Sequence, residues 1–335
     1  MRTRIVVIGA GTAGTRLAQR LPVTLLTEER HAPYNRVLLA DVLAGRYAPE
    51  VITLPTPQTP PRLGIQALRI DRESRTVTCA DGSRTPYDRL VLATGSAPLL
   101  PPLRGLRDTT PLAGVHPFRT LDDCLALQTH ARPGTRAVVI GGGLLGVSAS
   151  RALAALGAEV TLLHQGEYLM EGHLDRESAP LLTHHLSALG IEVHTECRVT
   201  GLRGHQGAVK AVALADNYIL DTHLVVLACG VRPRVTLARE AGLEVNRGIV
   251  VDDELRTSDP YIHAIGDCAE HRGQVYGLAT PALDQADVLA DILDTEATND
   301  PHTATARRGP ERGWGCPDVA APGTSEAKWR SQSGH

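Results

Sequence analysis

The residues of this chain best suited to chemistry fall in two glycine clusters. Gly9-Ala-Gly11-Thr-Ala-Gly14 follows the apolar run Ile5-Val-Val-Ile, and Gly141-Gly-Gly143-Leu-Leu-Gly146 follows Ala137-Val-Val-Ile. In a strand, glycine loop, helix order, the first glycine makes the tight turn and the second lets backbone approach a pyrophosphate. The third lets helix and strand pack closely. The helix N-terminus adds free N–H groups and a partial positive charge. A lone match is a weak signal, because glycine-rich turns without a ligand are common. Here both copies end a β-branched run and open a helical pattern, over 15–21 and 147–156, so the sequence predicts two dinucleotide sites.

The elements around each cluster fit that expectation. The second strand of the first unit, residues 23–27, ends in Glu28-Glu29, where a carboxylate accepts hydrogen bonds from an adenosine ribose; Glu28 is favoured and Glu29 is the alternative. A proline-rich connection over 54–61 excludes regular helix or central strand. A β-meander turning at Asp81-Gly82 comes next, and the strand 90–93 then ends in Thr94-Gly95. A second unit opens near Arg136 and closes at 224–228 with Cys229-Gly230, after which 261–265 returns as one more strand before Gly266-Asp267. The predicted fold class is α/β, with two Rossmann-like three-layer nucleotide-binding domains, the second inserted into the first. The expected bounds are 1–112 plus 247–293 for one domain, 113–246 for the other, and a disordered tail over 294–335.

Composition narrows the function classes. The chain has 335 residues, enough for two cores, and its net charge of −3 gives no reason to expect nucleic acid or an anionic membrane as partner. No apolar run reaches the roughly 20 residues of a membrane span. Gly9 to Gly14 interrupts the only stretch that resembles a signal peptide, so a cytoplasmic location is the expectation. The 6 cysteines include no Cys-x-x-Cys pair, and the 14 histidines include no His-x3-His pair with a completing carboxylate or thiol. Neither a dithiol relay nor a metal site is predicted.

Taken in order, Gly9-x-Gly11-x-x-Gly14, Ala93-Thr94-Gly95, Gly141-x-Gly143-x-x-Gly146, Cys229-Gly230-x-x-Pro233 and Ala264-Ile265-Gly266-Asp267 resemble the FAD- and NAD(P)-dependent pyridine nucleotide reductases over residues 2–293. Tyr34-Asn-Arg36-Val-Leu-Leu, Leu169-Met-Glu-Gly-His-Leu-Asp175 and Gly277-Leu-Ala-Thr-Pro281 are most similar to the flavin-binding part of assimilatory NAD(P)H nitrite reductases and to rubredoxin and ferredoxin reductases.

The resemblance implies that FAD lies on Gly9, Gly11 and Gly14, with Glu28 at its adenosine ribose and Arg36 beside its pyrophosphate and isoalloxazine. Thr94 and Gly95 would contact FAD, Gly266-Asp267 would meet the ribityl chain, and a helix starting after Pro281 would aim its positive end at the flavin. NAD(P)H would lie on Gly141, Gly143 and Gly146, near Gly230 and His164. It implies hydride transfer from NAD(P)H to FAD with no side-chain catalyst, and electron transfer onward to a ferredoxin, a rubredoxin or a nitrite reductase module. Dioxygen or a quinone is the alternative acceptor, and a binding module with little turnover is a reading of another class.

Two positions depart from the family pattern. The second strand of the NAD(P) unit ends in His164-Gln165 where relatives have a glutamate, which leaves NADH against NADPH open. Ser148 stands where relatives have a glutamate near the flavin edge. The family also continues past residue 293 into a small interface domain that this sequence does not resemble, as a truncation or a reading-frame break near Thr298 would produce. Oligomeric state is not legible.

Overall fold

The computed structural model describes residues 3–106 and 112–298. Two all-parallel sheets organise it. The first orders its strands Ile262–Ala264, Arg89–Leu92, Ile5–Ile8, Thr24–Leu26; the second runs Glu192–His194, Glu159–Leu163, Arg136–Ile140, Leu224–Leu227, Val115–Pro117. Ile5–Ile8 and Leu224–Leu227 are buried at every position, as expected of strands covered on both faces. In each sheet the strand before the glycine loop lies between the strand after the first helix and a later returning strand. All strands of the second sheet fall in sequence between Arg89–Leu92 and Ile262–Ala264. The fold class read from the sequence therefore stands.

Each sheet has an antiparallel meander inserted before its returning strand. The first is Ala67–Asp71, Thr76–Cys79, Arg84–Pro86, with Gly82 at the predicted turn at a φ of 80°; the second is Val199–His205, Ala208–Leu214, Ile219–Asp221. The chain leaves the first sheet through Ser96–Pro98 and comes back through Val231–Pro233, and these two segments pair antiparallel.

Two long-range packings differ from the sequence expectation. Leu39, Val42, Leu43 and Ile52, from the stretch assigned to the first domain, are buried with Phe118, Leu127 and Leu153 of the second. The stretch that follows Arg36 therefore packs on the helices Leu121–His130 and Leu144–Ala155 of the second unit. The last helix runs Ala279–Thr298, so it begins before Pro281 and continues past 293 into the predicted tail. Pro281 sits in its first turn, where a missing N–H costs nothing. The helix packs on Thr12–Arg20 through Ala286 and Leu289 and is tied to it by Arg16–Asp287 at 2.8 Å and Arg20–Asp291 at 2.7 Å. The rest of the predicted tail, 299–335, lies outside the described residues.

Candidate functional site

The two glycine loops have one construction. Gly9 has a φ of 110°, and a Cβ there would lie 2.0 Å from the Ala93 carbonyl oxygen; Gly141 has a φ of 114°, with the Ala228 oxygen at 2.3 Å. A Cβ on Gly14 would meet the Gly9 oxygen at 1.9 Å, and one on Gly146 the Gly141 oxygen at 1.7 Å. These four glycines are needed by the fold itself. Gly11 and Gly143 differ, because a Cβ on either would meet nothing within 4 Å. Each of these two is the N-cap of its helix, Thr12–Arg20 or Leu144–Ala155, with no side chain satisfying the free N–H groups. An uncapped helix start with open space in front of it is a cradle for an anion.

Equivalent glycines follow each returning strand. Gly95 and Gly230 have φ values of 68° and 101°, and both face open space. Thr94, beside the first, donates its hydroxyl to the Arg234 carbonyl at 2.7 Å, and the Arg234 N–H returns to the Gly95 carbonyl at 2.9 Å.

Around the first cradle the predicted residues converge. Gly266, at a φ of 75°, brings the Gly266–Cys268 turn against the start of the first helix, where its Cβ would lie 3.2 Å from Ala13 Cβ. The Gly266 N–H donates to Gln285 Oε1 at 2.7 Å. Asp267 accepts from the Ser96 hydroxyl at 2.9 Å and from an Arg119 guanidinium nitrogen at 2.6 Å. Arg36 turns inward: it pairs with Glu29, donates to the Tyr34 hydroxyl at 2.8 Å and to the Arg119 carbonyl at 3.1 Å. Tyr34 is the hub of this network, donating to Glu29 at 2.7 Å and accepting from Leu121 N–H at 2.9 Å. Glu29 is thus committed inside, and Glu28 is the exposed carboxylate at the strand end, paired with Arg234.

Arg119, Tyr34 and Gln285 were missed in the sequence. Gln285 had a signal, a polar residue among Ala282, Ala286 and Leu289 on an apolar helix face, and it is 1% exposed. Arg119 only precedes the capping box of Thr120 and Asp123 and had none.

In the second cradle the middle glycine has its own reason. A Cβ on Gly142 would lie 2.5 Å from Leu169 Cδ2 and 2.7 Å from His164 Cγ, so Gly142 makes room for the histidine. The Gly142 N–H donates to His164 Nδ1 at 3.1 Å, and His164 Nε2 is buried with no partner among the described residues. Ser148, one turn along the helix, is half-buried.

No group of three or more His, Cys, Asp or Glu side chains that could hold a metal ion occurs among the described residues, and no helix among them is long and apolar enough to cross a membrane. Burial pushes the Cys229 thiol up to about 11, and burial helped by Asp123 pushes Cys124 to about 12, so neither offers a thiolate.

The chain is similar to known reductases. It is 36% identical over 303 residues to the nitrite reductase [NAD(P)H] of Bacillus subtilis, covering 86% of this chain but only 37% of that protein. It is 31% identical over 313 residues to a nitric oxide reductase FlRd-NAD(+) reductase of Salmonella gallinarum, covering 88% of this chain and 79% of that one. A crystal structure of a ferredoxin reductase from Rhodopseudomonas palustris superposes with a TM-score of 0.82 at 30% identity, over 93% of this chain and 78% of the other. Residues 3–286 match the family described as pyridine nucleotide-disulphide oxidoreductase, and the chain belongs to that family.

Proposed function

We propose that this chain is an FAD-dependent NAD(P)H oxidoreductase that passes electrons to a one-electron carrier protein or a nitrite reductase module. The observation that carries this reading is the paired cradle, in which one glycine of each loop is free of any packing reason to be glycine. An open, uncapped helix start fits a pyrophosphate, and two of them fit two dinucleotides. FAD, when bound, supplies the exchange between a two-electron hydride donor and one-electron acceptors.

The chain's own residues bind, orient and balance charge. Gly9, Gly11 and Gly14 hold the FAD pyrophosphate against the first helix, and Glu28 accepts from the adenosine ribose once Arg234 yields or shares it. Thr94 and Gly95 pass close to the ligand backbone. Asp267 is positioned for the ribityl hydroxyls by Ser96 and Arg119, and Arg119 neutralises its charge in a site where both are 18% exposed. Arg36 braces this wall through Tyr34. The first turn of the helix carrying Pro281 adds a positive end. Gly141, Gly143, Gly146, Gly230 and His164 serve the nicotinamide dinucleotide. With no thiolate relay offered by Cys124 or Cys229, electrons leave directly for an external acceptor.

Names of relatives support a carrier protein as that acceptor: one is a ferredoxin reductase and another a FlRd-NAD(+) reductase. The experiment is to reduce the holoprotein anaerobically with the nicotinamide donor, then mix it with oxidised ferredoxin or rubredoxin. The flavin band is expected to return faster than with air-saturated buffer. Equal or faster return with dioxygen would replace the carrier by an oxidase reading.

A further inference from the structure

Two carboxylates follow the second strand of the first unit, and they take opposite directions. Glu28 is exposed, whereas Glu29 turns into the wall of the first cradle, its side chain 21% exposed. The Glu29 backbone is fixed at both ends, its N–H donating to the Thr27 hydroxyl at 3.3 Å and its carbonyl accepting from the Gly64 N–H at 3.0 Å. Its carboxylate oxygens are divided between two donors, Oε1 taking Arg36 Nη2 and Oε2 taking the Tyr34 hydroxyl at 2.7 Å.

Tyr34 has no capacity to spare. A phenol has one hydrogen to give and accepts at its oxygen. Here the hydrogen goes to Glu29, and the oxygen takes Arg36 Nη1 at 2.8 Å and the buried Leu121 N–H at 2.9 Å. Burial pushes this phenol up, with Glu29 acting in the same direction and Arg36 against it, so it keeps its proton for Glu29. Arg36 is held from a third side by the Arg119 carbonyl at 3.1 Å.

The same wall carries Asp267 and Arg119, paired at 2.6 Å. Two guanidinium groups therefore face two carboxylates in a partly buried site, where salt screens them little. Reduction of a flavin adds negative charge to it, so a wall with excess positive charge favours the reduced form more than a balanced wall does. The balance at Arg36 is held by one residue, Glu29.

We infer that Glu29 is a positioning residue for the flavin: with Tyr34 it fixes Arg36 in the wall, and as the counter-ion of Arg36 it sets the reduction potential of bound FAD. The inference rests on the reading of the first cradle as the FAD site.

The test is the midpoint potential of the bound flavin, measured by equilibration with an indicator dye on the flavin-loaded protein, which involves no turnover. Glu29→Gln keeps the shape and leaves Arg36 unbalanced, so it should raise the potential by about 30 mV, a tenfold change in a two-electron equilibrium. Arg36→Gln should lower it by about the same amount. The double variant Glu29→Gln/Arg36→Gln is balanced again and should return close to the original. Glu29→Asp keeps the charge and should stay nearer the original than Glu29→Gln does. Unchanged potentials in both single variants, or shifts of the same sign, would overturn the counter-ion role, because a purely structural part loosens FAD without opposed shifts. An unmodified protein that binds no FAD would instead remove the reading of the first cradle, and the inference with it.

Discussion

Gly143→Asp is expected to leave a folded protein that keeps its flavin but is no longer reduced by NADH at a useful rate. The added side chain meets nothing within 4 Å, so the fold tolerates it. On the proposed reading of the second cradle the space it enters is that of the dinucleotide pyrophosphate, and a carboxylate there would face like charge with no partner. Such an uncompensated charge costs several kcal/mol, so affinity should fall about a thousandfold. Gly146→Ala is the contrast, because its Cβ would lie 1.7 Å from the Gly141 carbonyl oxygen. That variant should lose the second unit's fold, read as a large drop in melting temperature. Unimpaired NADH reduction in Gly143→Asp would show that the open glycine faces no ligand.

Acidification is expected to destabilise the protein through His263. This side chain is 0% exposed on the strand Ile262–Ala264, and neither ring nitrogen has a partner among the described residues. Burial pushes it down from 6.5 to about 4; Arg256 and Arg89 act in the same direction, and Glu296 and Asp252 oppose them. The sign follows from proton counting. Between these values the unfolded chain carries the proton and the folded chain does not, so stability is full above pH 6.5 and is lost as pH falls towards 4. The shift corresponds to about 3 kcal/mol. His263→Leu removes the group, so the difference in urea-unfolding free energy between the original protein and the variant should shrink against the original by that amount across the window. A difference that does not change with pH would contradict a neutral buried His263.

The parts of the site legible in the sequence are those set by local geometry. Gly9, Gly14, Gly141 and Gly146 announce themselves because only glycine tolerates the positive φ or the carbonyl contact, and both constraints act within one strand–turn–helix unit. The insertion of one sheet between strands of the other could also be read, from the order of apolar runs and glycine turns. What could not be read depends on contacts across long sequence separations. Nothing near Arg119 shows that it will meet Asp267, and nothing near Glu28 shows Arg234 closing on it. Proline reads as a helix boundary, so the sequence points to a start after Pro281, whereas the first turn of the helix accepts it. The polar residues after Leu293 carry no apolar period and so do not read as helix, whereas Glu296 is anchored by Arg89 at 2.8 Å and by Arg256 at 3.2 Å. His164 was visible as a departure from the family pattern, but the bond to Gly142 that fixes its tautomer was not.

An anaerobic titration of the purified holoprotein with NADH, followed through the visible flavin band, tests most directly whether the two cradles form one reductase. Complete bleaching by one equivalent of NADH per bound flavin is the predicted result. A bound flavin that keeps its band in excess NADH and excess NADPH, yet bleaches with dithionite, would contradict the reading of the two cradles as one reductase.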